Sequence, residues 1–153
     1  MSLPIETKFA QFVQAAFEEG DAGFSGKVLE QENVSFLQGL YGALIQADLD
    51  SFADMISPDA EMELFCPREF GFIKRAQGKD TIVQAIVHNF SLLKDQETKL
   101  LSLVAQGDTV IIVGREKGKF RETNENYDVH FVQQFTIICG KMKYTRQIIS
   151  FSE

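Results

Sequence analysis

Glu116 and Gln133 are polar side chains set in rows that are otherwise apolar or small. Over residues 109–121, Arg115, Lys117, Lys119 and Arg121 share one parity, and Val110, Ile112, Gly114, Glu116, Gly118 and Phe120 share the other. Successive side chains of a strand face opposite sides, so the basic row is the solvent face and Glu116 is expected to point inward. Residues 127–139 repeat the pattern: Tyr127, Val129, Phe131, Gln133, Phe135 and Ile137 form one face, and Gln133 is its strongly polar member. A carboxyl taken out of water has a raised pKa, which suits a general acid or base near neutral pH. Amides and hydroxyls such as those of Gln133, Gln147 and Tyr127 could then orient a substrate's oxygens. The same groups could instead satisfy each other, or a buried water, because an unpaired buried polar group costs about 1–3 kcal/mol.

Other constellations offer less. His88 and His130 fall in different elements, and neither an HxH nor an HExxH spacing points to a metal. Cys66 has no base beside it in sequence and reads as a small hydrophobe. Glu61 and Glu63 oppose Met62 and Leu64 in parity, which puts the two carboxylates on the rim or outer face. With no glycine-rich phosphate loop in the sequence, no cofactor is expected.

The 153 residues suffice for one core, and 44% hydrophobic with 24% charged residues is ordinary for a globular chain. A net charge of −7 argues against nucleic acid and against an anionic membrane surface as partners. No apolar run approaches the roughly 20 residues that span a bilayer. The segment MSLPIETKF lacks the basic start and apolar core of a secretory signal. Two cysteines are too few for a disulfide framework, so a reduced cytoplasmic setting is expected.

The elements that must position Glu116 follow in a fixed order. An N-terminal helical arm (1–32) carries Ile5, Phe9, Phe12, Val13, Ala16 and Phe17 on one stripe and is broken by glycines at 20, 23 and 26. A second unit (33–153) opens with a helix over 34–47, with Asn33 as its N-cap and Val34, Leu37, Tyr41, Leu44 and Ile45 on one face. A short helix (49–56) capped by Asp48 and a strand (60–65) follow, and then a helix (81–94) capped by Asp80. Four strands, 97–106, 109–121, 127–139 and 142–151, complete the chain. Their connections are short, with Gly107-Asp108 as a two-residue hairpin, so neighbours are expected to pair antiparallel. The alternation of 142–151 is ambiguous. Helices followed by a strand meander predict an α+β fold in which a strongly curved antiparallel sheet encloses the helices and leaves a cone-shaped cavity.

This order resembles the SnoaL-like, ketosteroid-isomerase-related branch of the nuclear-transport-factor-2-like superfamily. The resemblance covers about residues 33–151 and is carried by Asp48-Leu49-Asp50, the run Pro58 to Leu64, Gly78, Tyr127-Asp128 and Gly140-Lys141-Met142. It implies a cystatin-like α+β barrel, a deep pocket for a small apolar organic ligand, and a homodimer. Together with the parity argument, it puts Met62, Leu64, Phe90, Tyr127, Phe131, Gln133 and Gln147 around the ligand, with Glu116 as the catalytic acid. It also marks departures. Isomerases of this kind carry a basic Asp where this chain reads Leu64-Phe65-Cys66-Pro67, and an acid where it has Gln133. Their helical Tyr falls at Leu40, one residue before Tyr41, and nearer relatives end in a strand with acids at Gln147 and Ser150. Two readings therefore stand: acid–base chemistry of the isomerase, cyclase or dehydratase type, or a non-catalytic binding or dimerisation module.

Overall fold

A computed structural model describes residues 28–152. The phenylalanine stripe expected over 5–19, and most of the N-terminal arm, lie outside the described residues. Helix α1 (Val28–Ile45) starts before the expected position and runs through the 32/33 boundary. Leu37, Leu40 and Leu44 are its buried stripe, at the spacing that keeps side chains on one helical face. Ala47 takes a left-handed backbone (φ 57°), and Asp48 then caps helix α2 (Leu49–Asp54) by accepting from the Ser51 amide at 3.2 Å.

Asn33 is not an N-cap. It sits inside α1, buried, and its Nδ2 donates to the Gly107 carbonyl at 3.0 Å, tying the helix to a hairpin tip. Asn33→Leu is therefore expected to lower stability by about 0.5–1.5 kcal/mol, because it removes that hydrogen bond. Thermal denaturation checks this, and an unchanged midpoint would contradict it.

Strand β1 (Ile56–Phe65) absorbs the Ser57-Pro58 step that was expected to lie before it. Its pairing register shifts between Ile56 and Glu61, so the missing proline N–H interrupts no ladder. After a 3-10 turn (Arg68–Phe70) comes β2 (Arg75–Gln77), three residues that are too short to show alternation. Helix α3 (Lys79–Ser91) has Gly78 as its N-cap, with Asp80 in its first turn rather than capping it. Strands β3 (Leu93–Gln106), β4 (Thr109–Phe120), β5 (Asn126–Ile138) and β6 (Lys141–Phe151) form the expected meander, and Gly107-Asp108 is the two-residue connection.

The sheet order is β2-β1-β6-β5-β4-β3, strongly curved and unclosed. One pair departs from the all-antiparallel expectation, since β1 lies parallel to β6. Short turns govern only strands that follow one another in sequence, and β1 and β6 are neighbours in the sheet that lie far apart along the chain. Ambiguity in the last strand has a physical cause. Thr136 faces Tyr144 but Ile137 faces Met142, so Lys143 is an extra residue that resets the alternation. Met142 and, beyond the bulge, Thr145 are buried, while Tyr144 turns outward to donate to Glu63. The helices and the concave sheet face share one core that includes Leu37, Phe52, Ile56, Ile82, Val110 and Phe135.

Candidate functional site

Between the helices and the concave sheet face is a cavity of about 180 Å³. Met62 and Leu64 reach it from β1, Phe90 from α3, and Glu116 from β4. Phe131 and Gln133 reach it from β5, and Gln147 from β6. Cross-strand register brings several of these together: Gln133 is paired with Gln147, Gln147 with Leu64, and Phe131 with Gly114. Tyr127 does not border the cavity. It lies behind Glu116, gripped by Phe70 (ring centroids 5.2 Å apart) and Phe120 (5.3 Å). From there its hydroxyl donates to Glu116 Oε2 at 2.6 Å.

Glu116 has further donors. Thr98 Oγ1 donates to its Oε1 at 3.0 Å, and the Gln96 side chain hydrogen-bonds to it as well. Burial pushes its pKa above the ordinary carboxylate value, and the three donors pull it part of the way back. Tyr127, buried beside this acid, is pushed well up and keeps its proton as a donor. Glu116 and Gln133 do not touch through a hydrogen bond. Gln133 faces Ile112, four residues along β4 from Glu116, or about 13 Å of extended strand. Its Oε1 accepts instead from Tyr41 Oη at 3.1 Å.

Tyr41, Asn89 and Gln96 are polar neighbours of the cavity that the parity argument did not single out. Tyr41 was legible as a member of the α1 stripe, and burial raises its pKa too. Asn89 holds the loop before β2 by accepting from the Ile73 amide (2.8 Å) and donating to its carbonyl (3.2 Å). Gln96 had no sequence signal, because a bulge delivers it. The β3–β4 register slips between Lys94 and Glu97, and Asp95 has a left-handed φ of 53°. On the outer face Arg115 clamps Asp128 through two bonds (2.9 and 2.6 Å), so part of the basic row is paired. Among the described residues, no three His, Cys, Asp or Glu side chains cluster as a metal site would need.

Comparison with known proteins agrees with this architecture. An nuclear-transport-factor-2-like protein from Burkholderia xenovorans LB400 superposes with a TM-score of 0.67 at 23% identity, over 79% of this chain and 91% of that one. A candidate SnoaL-like polyketide cyclase from Jannaschia sp. CCS1 gives 0.65 at 19% identity, over 84% and 92%. A candidate ketosteroid isomerase from Kribbella flavida DSM 17836 gives 0.58 at 13%, over 81% and 82%. No curated protein matches the sequence. Residues 37–145 match the profile of the SnoaL-like domain, and the chain belongs to that family.

Proposed function

We propose that this protein binds a small apolar organic molecule in its cone cavity, and that Glu116 carries a proton in acid–base chemistry of the isomerase, cyclase or dehydratase type. One observation carries the reading: a carboxyl with a burial-raised pKa stands at the wall of an otherwise largely apolar cavity. Met62, Leu64, Phe90 and Phe131 supply apolar contact, and Gln133 and Gln147 hold substrate oxygens. Tyr127 supports the acid from behind. A specific observation favours the non-catalytic alternative: both oxygens of Glu116 already accept from protein hydroxyls. A crystal structure of protein purified without denaturation tests the binding claim. Organic density against Glu116 supports it, and a cavity holding only ordered water contradicts it.

The outer sheet face supports a homodimer. Phe65 is paired with Ile148, Ile148 with Val132, and Val132 with Val113, one apolar row across four strands. Phe65, Ile148 and Val132 are exposed, and contiguous apolar surface of this kind is the usual mark of an interface. Light scattering at about tens of micromolar should report twice the chain mass. Val132→Asp should yield monomers, and a monomeric wild type would contradict the proposal. No described helix is long and apolar enough to cross a membrane, and Cys66 and Cys139 are free thiols, in keeping with a cytoplasmic setting.

A further inference from the structure

Gln96 is 2% exposed and borders the cavity, and its Oε1 has no hydrogen-bond partner. The amide is oriented by Glu116: its NH2 group serves the carboxyl, which leaves the carbonyl oxygen turned elsewhere. An acceptor stranded in this way costs about 1–3 kcal/mol. The bulge that brings it inward also holds Asp95 in a conformation that L-residues rarely adopt. Bulges of this sort re-aim a side chain next to a functional site. Gln96 therefore asks for a donor, and the place where it asks is beside the acid.

The rest of the wall limits what can bring that donor. Among the described residues, none that lines the cavity is Lys, Arg or His, so an anion would be desolvated there with no cation from them to receive it. Of the two acids at the wall, Glu63 is engaged by Tyr144 and lies 4.0 Å from Arg146. Glu116 is already held by Thr98, Tyr127 and Gln96, and burial disfavours its charged form, so a cation gains little there either. The volume of about 180 Å³ sets the scale, since an apolar cavity of about 150 Å³ is enough for benzene.

We infer that the ligand is an uncharged organic molecule of about one ring in bulk whose hydroxyl donates to Gln96 Oε1. This deepens the proposed function and rests on its claim that the cavity takes an apolar guest.

Phenol and toluene, equal in shape, separate the two claims. Phenol gives up more hydration on entering, so without a partner for its hydroxyl it should bind more weakly than toluene. NMR titration of the cavity methyl groups should instead show phenol binding about tenfold more tightly than toluene, the size of one good hydrogen bond. Benzoate and benzylamine should bind about a hundredfold more weakly than phenol. Gln96→Leu removes the stranded acceptor, and should cancel the preference for phenol over toluene. Toluene binding as well as phenol in the wild type, or benzoate matching phenol, overturns the inference while the cavity reading stands. A four-ring hydroxysteroid binding more tightly than phenol overturns the size limit. If none of these compounds moves the cavity methyls, the inference and the apolar-guest reading fall together.

Discussion

Replacing Glu116 with Gln is expected to lower turnover by about a hundred- to ten-thousandfold, the contribution of a positioned proton carrier, while ligand affinity stays nearly constant. An amide fills the same space and keeps one of the two oxygens that accept from Thr98 and Tyr127, but it cannot hand over a proton. A modest change in affinity with no turnover to lose would favour the non-catalytic reading. The same variant has a readout that needs no substrate. Glu116 is raised in the folded state above its ordinary value of 4.5. Its neutral form therefore contributes stability that is intact below 4.5 and is lost as pH rises to the folded pKa. Over that window Glu116→Gln should gain on the wild type by about 1.4 kcal/mol per pH unit, then level off. Thermal midpoints of both proteins across pH measure it, and a difference that is flat with pH would contradict a raised Glu116.

The two inward glycines of β4 should resist even alanine. Gly118 is paired with Tyr127, and a Cβ there would lie 2.6 Å from the Tyr127 hydroxyl oxygen and 2.7 Å from Cζ. Tyr127 is buried and hemmed in by Phe70 and Phe120, so its ring cannot move aside freely. Gly118→Ala is expected to destabilise the fold by about 1–3 kcal/mol, the usual cost of overpacking. It should also push the Tyr127 hydroxyl off Glu116. Because that hydroxyl holds the acid's pKa down, Glu116 should titrate higher still. Tyr127→Phe should give the same titration shift without the steric clash. If Gly118→Ala loses stability but leaves Glu116 titrating as before, Gly118 does not position the pair. At Gly114 a Cβ would meet Phe131 Cζ at 2.5 Å and the Lys99 carbonyl at 2.9 Å. Backbone closes one side, so Phe131 must swing into the cavity, and Gly114→Ala should weaken ligand binding along with stability.

Strand parity read the inward faces of β4 and β5 correctly, because both are long and have one wet side. Val110, Ile112, Val129, Phe131, Phe135 and Ile137 are all buried. It failed where the ladder is irregular. Lys143 and the slip at Asp95 each insert a residue, and the phase of everything beyond them changes. Gln96 was invisible for that reason. Parity tells which face a side chain takes and not what stands in front of it, so it assigns Tyr127 to a cavity that Glu116, its hydrogen-bond partner, borders instead. Asn33 has the side chain of a cap, but the helix begins at Val28 and its partner is 74 residues away at Gly107. The parallel β1–β6 pair could not be read from turns, which speak only for consecutive strands.

Glu116 stands at the cavity wall with its pKa raised by burial. The most direct test is a 13C NMR titration of the Glu116 side-chain carboxyl, with the cavity empty and with phenol bound. A midpoint above 4.5 is expected, and it should move again when the cavity is occupied. A midpoint at or below 4.5, unmoved by phenol that occupies the cavity, would contradict it.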